Sequence, residues 1–215
     1  MAKSLNHPAG LSKFTPGSVQ EVLNIVLPLM VVMLSGSLMQ FCNRLILAHY
    51  DLNALNAATV AGIVVVTWQS FIVGISSIAE VFVGRANGAR RFAQISSPVW
   101  QMLWFSLATF VIALPLGYFG ATYFVPEPLY AAGAGYYRWL MYASPLYAAL
   151  QAIAAFYIGR GEVRIITYTT LVANLLNLAL AYILVFGYGA IPSLGAFGAA
   201  LASALATLAQ VSYLF

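Results

Sequence analysis

In 215 residues the ionisable side chains amount to five carboxylates, nine Lys or Arg and two His. Any of them set in an apolar stretch is therefore a candidate for chemistry. Glu80 is the one carboxylate inside such a stretch, following the uncharged run 74–79 and preceding Arg85, Arg90 and Arg91. A carboxylate at membrane depth can bind a coupling proton or sodium ion. The alternative is an ion pair with Arg85 or Arg91 that anchors the end of a helix. Asn43 and Arg44 form the second cluster. In a wetted cavity Arg44 would repel or select charged cargo; otherwise it snorkels to the outer interface beside Asp51. Asn174 and Asn177 either line a substrate path or make interhelical hydrogen bonds, worth about 0.6 kcal/mol each on average. Gln40, Gln69 with Trp68, and Tyr147 with Gln151 are further lining candidates. His7, His49 and Cys42 lie too far apart in the chain to assemble a metal site. HExxH, GxSxG and GxxxxGK[ST] are all absent, which argues against an enzyme and excludes an ATP-driven pump built from this chain alone.

The elements that must position these residues follow from composition. The chain is 62% hydrophobic and 7% charged, with mean hydropathy +0.90, where a soluble domain would be about 25% charged. Runs of about 20 apolar residues, enough to cross a bilayer, recur along it. The expected fold is all-α: a polytopic six-helix membrane bundle after a polar tail over 1–18. Spans are expected near 22–50, 54–83, 98–124, 136–158, 165–186 and 196–215, the first serving as an uncleaved anchor. Pro28 and Pro145 are expected hinges or kinks, and Pro115 a further kink.

Within the spans, polar residues recur at helical spacing. Gln40, Asn43 and Arg44 share a side of the first, and Thr59, Gly62, Gln69, Ser76 and Glu80 a stripe of the second. Gly84 is expected to end the second span and open a basic loop. Tyr118, Tyr123, Tyr136, Tyr137 and Trp139 are read as interface anchors. Gly195, Gly198, Ala202 and Ala206 form a small-residue face on the sixth span, suited to close helix contact. Of the nine basic residues, Lys3, Lys13, Arg85, Arg90, Arg91, Arg160 and Arg164 fall on one side of a six-span chain. The positive-inside rule makes that side, with both termini, cytoplasmic. Confined to short loops, these charges do not form a nucleic-acid face.

Three segments together resemble the N-terminal half of the multidrug and toxic compound extrusion (MATE) transporters. They are residues 27–62 around Asn43, residues 74–92 around Glu80, and residues 174–203, which run from NLLNLALAY to GAFGAALAS. The resemblance implies a twelve-helix exporter of two six-helix lobes, working by alternating access in a plasma membrane, the bacterial inner membrane in a bacterium. It also implies sodium or proton entry as the driving force, no cofactor, small organic and often cationic aromatic substrates, and a second lobe as partner. Two positions depart from the prokaryotic pattern. Asn43 and Ala181 stand where many such members carry aspartates, which leaves Glu80 as the titratable group of this half.

Two other functions are open to the same residues. One is a flippase for an anionic lipid-linked sugar, which the missing aspartates and Arg44 would suit. The other is a half-length, non-transporting membrane protein, docking a partner through the small-residue face of the sixth span.

Overall fold

A computed structural model describes residues 19–188 and 192–215; the expected tail lies outside the described residues. Among the described residues eight α-helices make six membrane-length spans. The first is α1 (Val19–Tyr50), and the second is α2 (Leu52–Ser76) continued by α3 (Ile78–Gly88). The third is α4 (Ser96–Ala108) continued by α5 (Phe110–Phe124), and the fourth is α6 (Tyr130–Gly159). The fifth and sixth are α7 (Val163–Phe186) and α8 (Gly195–Leu214). Lipid offers no hydrogen bonds to a bare backbone, so these apolar segments become helices, the second and third with one joint each. Their outward faces remain apolar, as at Met33, Leu34, Val111 and Phe119.

The long α6 is the hub, with α2, α3, α4, α5 and α8 packed on it, while α7 packs between α8 and α1. Alanine lets the helices approach closely: Ala57, Ala61, Ala121, Ala148 and Ala200 are wholly buried. The small-residue face of α8 is used inside the bundle. A Cβ on Gly198 would stand 2.6 Å from the Leu184 carbonyl oxygen of α7, and Ala202 and Ala206 are buried. The docking face expected for an outside partner is thus turned into the bundle, meeting α7 at Gly198 and α1 at Gly195.

Several expected boundaries move. The second span does not break at Gly84, because a single glycine costs a helix only about 1 kcal/mol. The helix runs on to Gly88 and stops where Arg90 takes φ 56°. There the Arg91 N–H donates to the Ala86 carbonyl at 2.8 Å and the Arg90 N–H to Asn87 at 3.0 Å, the paired bonds of a Schellman cap. The third span is interrupted at Thr109, six residues before Pro115. Near that joint the buried Ser106 hydroxyl donates to the Pro145 carbonyl of α6 at 2.6 Å. Pro28 and Pro145 both lie within continuous helices.

Of the expected aromatic anchors, Tyr118 and Tyr123 are exposed. Tyr137 is wholly buried and its hydroxyl donates to the Leu116 carbonyl at 3.3 Å, so the ring is core rather than interface. Contacts between helix ends group the basic loops. Gly159, at the end of α6, packs on Val83 of α3, which brings the turn of Arg160 to the end of the bundle that carries Arg85, Arg90 and Arg91. At the opposite end Gly195 packs on Tyr50, and Gly133 on Ala57.

Candidate functional site

Between α1, α2, α6 and α8 lies a cavity of about 400 Å³. One of its walls is built on a chain of amides with a fixed direction. Ser203 on α8 donates its hydroxyl to the Ala199 carbonyl at 3.0 Å, so its oxygen accepts from Asn177 Nδ2 of α7 at 3.1 Å. Asn177 Oδ1 in turn accepts from Asn43 Nδ2 of α1 at 3.0 Å. The carbonyl at the end of the chain can only accept, so each amide has one orientation and the free end is Asn43 Oδ1. That atom is buried and has no partner among the described residues. Three helices are thereby tied together, and an acceptor is left on a residue of the cavity wall.

Gln40 and Arg44, one turn apart on α1, line the same cavity with Thr59 and Gln69 of α2. Tyr136 and Tyr147 of α6 face them. Gln69 Nε2 is a second buried polar atom without a partner among the described residues. Arg44 has no carboxylate within 4.0 Å among the described residues. The expected pairing with Asp51 is not made, because Asp51 caps α2 by accepting from the Ala54 N–H at 3.1 Å. Tyr136, expected to be an interface anchor, is half-buried on the cavity wall instead.

Other sequence candidates lie elsewhere. Glu80 is half-buried on α3, is not part of the cavity wall and makes no ion pair with Arg85 or Arg91. The ion pair seen among the described residues is Arg160–Glu162 at 3.0 Å. Asn174 donates to Ser35 of α1 at 2.9 Å, and below it Thr167 donates to the Pro28 carbonyl at 3.3 Å. These two contacts and Asn43–Asn177 are the rungs that seat α1 on α7. Ala181 is wholly buried, and Gln151 is half-buried off the cavity wall.

Asn174 and Asn177 were open to two readings, and they answer differently. Asn174 bonds helices, whereas Asn177 supports the wall through Asn43 without lining the cavity itself. Sequence reasoning missed Ser203, Tyr136 and Ser35. Ser203 had one usable signal, a hydroxyl four residues after Ala199 and flanked by the buried Ala202 and Ala204.

The MatE family model matches residues 28–183 of the chain. The chain belongs to the MatE family. It is 30% identical over 148 residues to the probable multidrug resistance protein YoeA of Bacillus subtilis, covering 65% of this chain and 31% of that protein. With the probable multidrug resistance protein NorM of Rhizobium meliloti it shares 30% identity over 161 residues, covering 69% of this chain and 34% of that one. A solved structure described as the outward-facing conformation of a multidrug resistance MATE family transporter superposes with a TM-score of 0.80 at 18% identity. That superposition covers 91% of this chain and 43% of the other, so the two share the fold. This MatE chain spans about a third of the length of the curated relatives just named.

Proposed function

We propose that the chain is the N-terminal lobe of a secondary exporter of small organic compounds, driven by sodium or proton entry and working by alternating access. The observation that carries this reading is a partly polar cavity enclosed by membrane-length helices, on a lobe whose relatives include probable multidrug resistance proteins. A cavity of about 400 Å³ falls within the usual range for small-molecule sites, about 300–1,000 Å³. The exposed Gln40 and Arg44 on its α1 wall support a mouth that a second six-helix lobe would face. Sites between two such lobes, near mid-depth, suit rocking of one lobe against the other. The basic end of the bundle and both termini are cytoplasmic in this reading. Glu80 is the coupling group, a carboxylate within a span and without an ion pair among the described residues.

The test is efflux from proteoliposomes holding the protein in which this chain is one lobe. Export should follow an imposed proton or sodium gradient, and Glu80→Gln should uncouple it from the gradient while substrate exchange persists. Export that ignores both gradients would refute the coupled mechanism. Full coupling in Glu80→Gln would remove Glu80 from the role.

A second reading, a flippase for an anionic lipid-linked sugar, is favoured by the cavity's charge: among the described residues Arg44 lines it and no carboxylate does. Translocation of a lipid-linked precursor that is unchanged in Arg44→Ala would dispose of it.

A further inference from the structure

We propose that the cavity binds an organic anion that carries a hydroxyl group close to its charge. The anion sits on Arg44 and Gln69, and the hydroxyl donates to Asn43 Oδ1. The inference rests on the export reading only for what the site is used for; the binding stands by itself.

Three observations point the same way. Arg44 is the charged residue of the cavity wall among the described residues, and the acid nearest to it in sequence, Asp51, is held at the α2 cap. A guanidinium at membrane depth costs free energy unless water or a counter-ion reaches it, and a planar fork of N–H donors is best matched by carboxylate or phosphate oxygens. Next, Gln69 lines the same cavity as Arg44, and its Nε2 is a buried donor without a partner among the described residues. Last, the amide chain ending on the Ala199 carbonyl leaves Asn43 Oδ1 as an unsatisfied acceptor. An acceptor one residue from the guanidinium would repel a bare anion but can take a hydroxyl proton. Buried polar atoms left unpaired are costly, so a ligand that satisfies both is selected over one that satisfies neither. Tyr136, Leu140 and Ile63 supply apolar and aromatic wall for the ligand's body. This chemistry could belong to a free aromatic hydroxy acid or to a phospholipid headgroup with a hydroxyl beside its phosphate.

The experiment is equilibrium binding, without any ion gradient, to the purified full-length protein in nanodiscs of phosphatidylcholine. The probes are 3-hydroxybenzoate, benzoate and 3-hydroxybenzyltrimethylammonium, a cation of similar shape. The hydroxy acid should bind tightest, and Arg44→Gln should weaken it by about tenfold or more, the loss of one charge-assisted hydrogen bond. Arg44→Lys should retain part of the affinity, and Asn43→Ala should abolish the preference for 3-hydroxybenzoate over benzoate. Should Arg44→Gln fail to fold, Arg44→Lys and Asn43→Ala still read the two halves of the site. Phosphatidylglycerol in the nanodisc that displaces the acid identifies a lipid headgroup as the natural anion. No displacement identifies a free one. Binding unchanged in Arg44→Gln, or a cation bound as tightly as the acid, would overturn the proposal. Loss of gradient-driven export with this binding intact would instead count against the transport reading.

Discussion

Replacing Asn177 with alanine removes two interhelical hydrogen bonds at once, from Asn43 at 3.0 Å and to Ser203 at 3.1 Å. Asn177 is 1% exposed, so no lipid or bulk water replaces them. At about 0.6 kcal/mol for each bond within a membrane, Asn177→Ala should destabilise the bundle by about 1 kcal/mol and Asn43→Ala by about half of that. The double variant loses the same two bonds as Asn177→Ala alone. It should therefore fall short of the sum of the single effects by about 0.6 kcal/mol, the value of the shared bond. Asn174→Ala breaks a different contact, to Ser35, and should add to Asn177→Ala without coupling. Reversible unfolding in detergent titrated with dodecyl sulfate, followed by circular dichroism, gives the four energies of each cycle. Additivity of Asn43 and Asn177 would refute the directed amide chain. An equal coupling between Asn174 and Asn177 would refute it as well, since the whole α1–α7 contact would then be loosening rather than one bond.

Two further outcomes are expected. A Cβ on Gly159 would lie 2.6 Å from Val83 Cγ1 and 3.0 Å from the Glu80 carbonyl oxygen, so Gly159→Ala should destabilise by about 1–3 kcal/mol through overpacking. Adding Val83→Ala should recover part of that loss in the same unfolding assay, and no recovery would place the clash elsewhere. For orientation, single cysteines replacing Arg90 or Arg160, with Cys42 changed to Ala, should react with a membrane-impermeant maleimide in inverted vesicles and not in intact cells. A cysteine at Asp51 should show the reverse, and the opposite pattern would invert the topology.

The spans were legible because the bilayer applies one rule to every residue within it: backbone groups must be satisfied inside the helix. Local steric rules were harder to read. Gly84 suggested a break, yet the helix runs on to Gly88 and is capped where two bonds and the left-handed backbone of Arg90 coincide. Asp51 suggested a partner for Arg44 by its nearness in sequence, yet the open N–H groups of α2 are nearer still. The small-residue face of the sixth span was visible as a pattern, but sequence carries no label for the helix that will fill it. The chain's own helices fill it, α7 at Gly198 and α1 at Gly195.

By itself, the sequence determined that the chain is a six-span bundle, which residues are polar within its spans, and that it resembles the MATE transporters. The tertiary structure alone decided that Asn43, Asn177 and Ser203 form one chain of hydrogen bonds, that Arg44 and Tyr136 share a cavity, and that Glu80 does not line it. The physical reason lies in the solvent. Lipid outside and packing inside both accept apolar side chains, so a helix such as α5 carries no clear amphipathic stripe to show which face turns inward. Only the packing of helices against one another selects the polar groups that meet.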